Sequence, residues 1–141
     1  MKGNVLWIVA AAGLALVGCN KAESPAEVQH DVSEARADAS RDVADAQADA
    51  RENMADAQKD VADAQADNDA EDTADQAQQA SETAATNEYK VAVARAEATH
   101  KVATEKCEAM SADAQEDCKT RADADLEKAK RDAEMRRDGA G

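Results

Sequence analysis

The stretch "VSEARADASRDVADAQADARENMADAQKDVADA" (residues 32–64) decides the fold class of this chain. It divides into three blocks of 11 residues, which begin at Val32, Val43 and Met54. Apolar residues recur in it at steps of three, four and four, an average of about 3.67 residues per turn, which is a helical period. The apolar stripe consists of Val32, Ala35, Ala39, Val43, Ala46, Ala50, Met54, Ala57 and Val61. We therefore predict a long repeat helix over 28–64; the alternative is compositional drift in an Ala/Asp-biased chain.

The residues around this stretch also favour helix. Neither proline nor glycine occurs between Val28 and Gly139, and these are the two residues that helix interiors tolerate least. The start is marked by a capping box, with Ser24 as N-cap, Pro25 at the first helical position and Glu27 at the third. The fold class predicted is all-α: an extended, coiled-coil-like rod that ends in a C-terminal helical hairpin, with a partly disordered acidic middle.

The composition limits how much core this chain can build. Of its 141 residues 43% are hydrophobic, but most of these are alanine, and the chain has no phenylalanine, one tyrosine and one tryptophan. Alanine buries little area, so apolar burial at about 25 cal/mol per Å² cannot offset the ordering cost of a compact domain. The net charge of −14 argues against binding to nucleic acid, which needs a basic patch.

The N-terminal segment "MKGNVLWIVAAAGLALVGCN" (1–20) has the plan of a bacterial export signal. The apolar run 5–17 is shorter than the ~20 residues of a membrane-spanning helix and fits the apolar region of a signal peptide. The tetrapeptide Leu16-Val17-Gly18-Cys19 that ends it resembles the lipobox of bacterial lipoproteins. An ordinary secretory signal that happens to end at a cysteine is the alternative.

This resemblance implies a lipid anchor at Cys19. In the lipoprotein family the cysteine thiol receives a diacylglyceryl group, cleavage falls directly before it, and the new amine is often acylated with a chain such as palmitate. Residues 1–18 would then be the signal peptide and 19–27 a lipidated tether. An aspartate after the cysteine favours inner-membrane retention in that family, so Asn20 predicts the periplasmic face of the outer membrane.

The plan of the whole chain is similar to small α-helical envelope lipoproteins such as the murein lipoprotein, in which a lipobox precedes an Ala-rich coil. It departs from them at "RRDGAG" (136–141), which lacks the terminal lysine used for attachment to peptidoglycan. We expect a non-enzymatic helical spacer, scaffold or interaction module. The alternative is a hydration or stress protectant, because the repeats in 32–64 resemble those of late-embryogenesis-abundant proteins.

The acidic middle, 65–86, interrupts the stripe. Residues 31–75 hold 15 acids and 4 bases, a net of −11, whereas 76–138 hold 14 acids and 11 bases, a net of −3. Crowded acids repel one another and aspartate is a weak helix former, so we predict an acidic hinge or frayed segment here. The stretch "DNDAED" is not an EF-hand loop, because Asp72 stands where that loop needs glycine.

The second half carries most of the larger side chains. Steps of four and three predict a regular seam, made of Tyr89, Val93, Ala96, His100, Ala103, Cys107 and Met110. We expect a helical hairpin over 87–138, and self-association through the Tyr89–Met110 seam is one way in which the chain could find a partner. His100 on this seam is interpreted as a register-setting or partly exposed polar residue.

Cys107 and Cys118 form the remaining pair of thiols if Cys19 carries lipid. Eleven residues along a straight helix rise about 16 Å, too far for a disulfide. A turn at Ser111–Asp113, with Asp113 as N-cap of the next helix, would let the two sulfurs meet. An interchain bond and two free thiols stay open as alternatives at this point.

The chain shows no pattern typical of catalysis. The two cysteines are too far apart for a C-x-x-C redox motif, and they supply only two of the four ligands of a structural zinc site. We therefore predict no catalytic, cofactor-binding or metal-binding residue.

Overall fold

The computed structural model describes residues 23–139, and these residues form three α-helices. They are α1 (Pro25–Ala66), α2 (Ala70–Cys107) and α3 (Ala112–Asp138). No strand occurs within 23–139, so the predicted all-α class is confirmed. The predicted signal peptide, the lipobox and Cys19 lie outside the described residues.

The first helix begins at the predicted capping box. The Ser24 hydroxyl accepts a hydrogen bond from the Glu27 amide at 3.4 Å, and the Ser24 amide donates to Glu27 Oε2 at 3.0 Å. Pro25 occupies the first helical position, where its missing amide hydrogen has no partner to lose. With 42 residues at 1.5 Å each, α1 is about 63 Å long.

The predicted apolar stripe of α1 is the surface that packs on α2. All nine of its members are buried or half-buried, and Ala35 and Ala39 are only 3% and 6% exposed. Alanine side chains are short, so the two backbones can approach closely along this seam. Val28, which precedes the stripe, is also buried and extends the seam by one turn.

Most of the acidic middle, 65–86, is helical, so the predicted hinge or frayed segment is reduced to a short break. The break is confined to 67–69, where Asn68 adopts a φ of 53°, a left-handed conformation that asparagine tolerates. Asp69 then caps α2 by accepting hydrogen bonds from the amides of Glu71 and Asp72. The crowded acids lie in the first turn of α2, where the helix dipole stabilises negative charge.

This short turn also changes the predicted shape. α1 folds back along α2 and does not continue as a separate rod, and α3 folds back along α2 in turn. No Cα of α1 lies within 8 Å of a Cα of α3. α2 is therefore the central helix of a three-helix layer, with α1 and α3 on different sides of it.

The second reversal lies at the cysteine pair, but its cap differs from the prediction. The N-cap of α3 is Ser111, without a side-chain capping bond, and Asp113 lies inside the first turn. α3 therefore begins two residues earlier than predicted, and a backbone hydrogen bond from the Gln115 amide to the Ser111 carbonyl, at 2.7 Å, supports this start. In that position the Asp113 carboxylate still interacts favourably with the helix dipole.

Candidate functional site

The sulfur atoms of Cys107 and Cys118 lie 2.00 Å apart, with their Cα atoms 5.7 Å apart. Both values fit a disulfide, which needs Cα atoms within about 7 Å. Cys107 is 0% exposed, so a second chain has no access to its sulfur. The geometry is that of an intrachain bond across the α2–α3 hairpin, and we call this end of the layer the stapled end.

The segment that leads towards the predicted anchor meets the stapled end. The Glu23 amide donates to the Glu108 carbonyl at 3.1 Å, which joins the start of α1 to the α2–α3 loop. The Glu108 carboxylate also pairs with Lys119 and accepts a hydrogen bond from Gln115, both on α3. The stapled end therefore holds together all three helices at the point where the chain leaves towards its N-terminus.

Glu23 carries a buried oxygen atom at this end, Oε2, which has no hydrogen-bond partner within 23–139. Burial, followed by the negative charges of Asp31 and Glu108, raises the pKa of the Glu23 carboxyl. The folded chain therefore favours protonation of Glu23 more than water does.

Much of the predicted Tyr89–Met110 seam faces α3, but Met110 at its end is 40% exposed and lines a groove beside α1. His100 Nε2 lies 2.6 Å from Asp123 Oδ1, and the Arg137 guanidinium stacks 4.7 Å from the centre of the Tyr89 ring. His100 keeps 25% of its side chain exposed, in line with the interpretation as a partly exposed polar residue. The contacts with α3 make much of this seam an interface within the chain, and self-association through it stays a prediction.

A polar pair between α1 and α2 was not predicted. Asn87 is 4% exposed; its Oδ1 accepts from Asn53 Nδ2 at 3.1 Å, and its own Nδ2 donates to the Ala50 carbonyl at 3.3 Å. The only sequence signal was an asparagine beside the apolar stripe, next to Met54. A buried asparagine of this kind sets the register between two helices.

Ion pairs also cross between the helices. Lys101 Nζ lies 2.9 Å from Asp38 Oδ2, and Lys130 Nζ lies 2.9 Å from Glu97 Oε1. The hydrogen bond from Lys101 lowers the pKa of Asp38, and the same bond raises the pKa of Lys101. The hydrogen bond to Glu97 likewise raises the pKa of Lys130.

An open groove of about 1000 Å³ runs between α1 and α2, and a second of about 830 Å³ continues it; Arg95 lines both. We call the two together the cationic groove. Its apolar floor includes Ala39, Val43, Met54, Val91, Ala98 and Val102. The bases that line it are Arg36, Arg51, Arg95, Lys106 and Arg136, and its only acid is Glu88.

One trio of side chains could approach a metal ion. His30, Asp31 and Glu34 have ligand atoms within 4.8 Å of one another. All three lie on one turn of α1, and the His30 side chain is 76% exposed, with its pKa raised by the hydrogen bond to Asp31. Exposed groupings of this kind are common on acidic helices, so we assign no ion to it.

Comparison with known proteins gives no relative on which to base a function. No protein family, curated protein or solved structure matches the chain. None of the helices within 23–139 is long and apolar enough to cross a membrane.

Proposed function

We propose that this chain is a lipid-anchored, non-enzymatic protein of the cell envelope, which acts as a helical spacer, scaffold or interaction module on the periplasmic face of the outer membrane. The observation that carries the proposal is the lipobox-like Leu16-Val17-Gly18-Cys19, followed within five residues by the capped start of α1 at Ser24. The anchor would thus be joined to the layer by a very short tether.

The three helices suit this role because the layer is long and thin. α1 is about 63 Å long, and α2 with 38 residues is about 57 Å long. Its grooves are open surfaces lined largely by alanine and exposed polar side chains, which suits contact with a large partner better than enclosure of a small substrate.

The lipid anchor is tested by changing Cys19. The native chain, expressed in a Gram-negative host, is expected to remain in the outer-membrane fraction after high-salt washing and to enter the detergent phase. Each buried CH₂ contributes about 0.8 kcal/mol, so two or three acyl chains hold the protein on the bilayer. The Cys19→Ser variant should lose the acyl mass and leave that fraction. Equal membrane retention of both proteins would contradict the proposal.

The alternative function, a hydration or stress protectant, makes a different prediction for the chain without lipid. A protectant of that class is unfolded in dilute buffer and becomes helical on drying. The contacts between α1 and α2, including the Asn53–Asn87 pair, favour a folded layer. Circular dichroism of residues 19–141 is expected to show strong helicity in dilute buffer with a cooperative thermal transition; a coil spectrum would favour the protectant.

A further inference from the structure

The cationic groove is unusual in a chain with a net charge of −14. Its five bases are exposed, and none of them forms an ion pair with a residue within 23–139. Other bases are paired: Lys101 and Lys130 with acids of a neighbouring helix, and Lys119 with Glu108 of the α2–α3 loop. The groove therefore presents five bases that no ion pair within 23–139 engages.

A second surface of α1 carries the opposite charge. Six exposed acids follow one another at steps of three or four residues, which places them on one side of the helix. We call them the acidic stripe: Asp42, Asp45, Asp49, Glu52, Asp56 and Asp60. No member of the stripe is paired with a base within 23–139. Asp56 and Asp60 line a different groove from the cationic one, so the two surfaces lie on different flanks of α1.

The two surfaces match in length as well as in charge. Eighteen residues separate Asp42 from Asp60, which is about 27 Å of helix, and fifteen separate Arg36 from Arg51, which is about 22 Å. The floor between the bases consists mostly of alanine and valine, with Met54 and Met110, and its small side chains let a helix approach closely.

We propose that the cationic groove of one copy binds the acidic stripe of a second copy of this chain. This contact would be one form of the interaction-module role, and it rests on the proposed function only for that role. It does not depend on the lipid anchor, so the unlipidated chain can test it separately. Because the two surfaces differ, the contact is head-to-tail and continues beyond a dimer unless it closes into a ring. The net charge opposes association, so the contact is weak in solution and is favoured by the high effective concentration of tethered copies.

Sedimentation velocity of the mature chain, residues 19–141 with Cys19→Ser, tests this contact. At about 0.15 M salt the Debye length is about 8 Å, so only neighbouring charges act on each other. We expect the sedimentation coefficient to rise with concentration up to the millimolar range. The variant Arg36→Glu/Arg95→Glu should raise the apparent dissociation constant at least about tenfold. The matched variant Arg121→Glu/Arg131→Glu changes the net charge equally, outside the groove, and should have little effect.

A charge exchange completes the test. The variant Asp45→Arg/Asp49→Arg should weaken association as the groove variant does. Combining it with Arg36→Glu/Arg95→Glu restores both the complementarity and the original net charge, so association should return. Circular dichroism checks that each variant keeps its helix content.

Three results would overturn the proposal. The first is a chain that stays monomeric at every concentration, and the second is a combined variant that fails to recover association. The third is binding of the monomeric chain to phosphatidylglycerol vesicles that is lost in Arg36→Glu/Arg95→Glu, which would assign the groove to anionic lipid.

Discussion

Asn87 of α2 and Asn53 of α1 are joined side chain to side chain at 3.1 Å, 34 residues apart in sequence, in an interface that is otherwise mostly alanine. Asn87 also donates to the Ala50 carbonyl, so both ends of its amide are used. An alanine seam is nearly uniform along its length and would permit the two helices to slide by a turn. The buried amide fits only one alignment, because any slip leaves it unpaired.

The first prediction concerns this pair. Asn87→Ala removes the buried amide, so Asn53 and the Ala50 carbonyl each lose their hydrogen bond to it. The substitution should lower the free energy of unfolding by about 1–3 kcal/mol. Urea unfolding measures it. In a double-mutant cycle, adding Asn53→Ala to Asn87→Ala should cost much less than Asn53→Ala costs alone. Strictly additive effects would mean that the two amides do not act together.

The second prediction concerns the stapled end. Reduction, or the variant Cys107→Ser/Cys118→Ser, is expected to lower the free energy of unfolding by about 3 kcal/mol, because the short crosslink restricts the unfolded chain. Hydrogen exchange should rise most near 108–111, where α2 and α3 are joined. Alkylation of freshly isolated, unreduced protein checks the bond itself. Two modified thiols in that sample would contradict it.

The third prediction follows from the ion pair between Asp38 and Lys101. The folded pKa of Asp38 is lowered, so the pair's stabilisation is present above the unfolded value, about 3.9, and is lost as the pH falls through the folded pKa. The raised pKa of Lys101 means that the stabilisation is lost again above about pH 10.4, as the pH rises through its folded pKa.

The measurement compares the urea concentration at the unfolding midpoint of Lys101→Met with that of the native chain, from pH 3 to above pH 10. The native chain should be more stable at pH 7, and the difference should shrink below pH 4. Lys90→Met is a matched control, because Lys90 is exposed and forms no ion pair within 23–139. A difference that is unchanged at pH 3 would show that the loss of Lys101 acts through packing.

The fourth prediction concerns the contact of α3 with α2. Ala133 is 2% exposed and lies beside Tyr89 and Ala92 of α2. Ala133→Leu forces the two helices apart and should cost about 1–3 kcal/mol of stability. Ala124→Leu is the matched control, since Ala124 is exposed on the same helix. Equal thermal midpoints for the two variants would contradict close packing at Ala133.

The sequence predicted the elements better than their arrangement. The apolar stripe from Val32 to Val61 and the cap at Ser24 could be predicted, because each depends on residues within a few helical turns of one another. The hinge or frayed segment predicted over 65–86 is longer than the observed break at 67–69, because a dense run of acids predicts repulsion when it is counted by composition. Placed directly after a cap at Asp69, the same acids stabilise the start of α2.

The surfaces could not be predicted because they depend on which helices are neighbours. The Tyr89–Met110 seam was visible as a pattern, but the pattern did not reveal that α3 packs against much of it. The cationic groove combines Arg36 of α1, Arg95 of α2 and Arg136 of α3, which are far apart in sequence and share no motif. Asn87 has no periodic signal of its own, and its role appears only once Asn53 lies opposite.

The measurement that tests the central claim most directly is the intact mass of the protein extracted from the envelope under non-reducing conditions. A lipid-anchored, stapled layer predicts a chain that begins at Cys19, carries the mass of a diacylglyceryl group with or without a further acyl chain, and lacks the two hydrogen atoms lost when Cys107 and Cys118 join. A chain that begins at Met1, or that starts at Cys19 without acyl mass, would contradict the anchor and with it the proposed function.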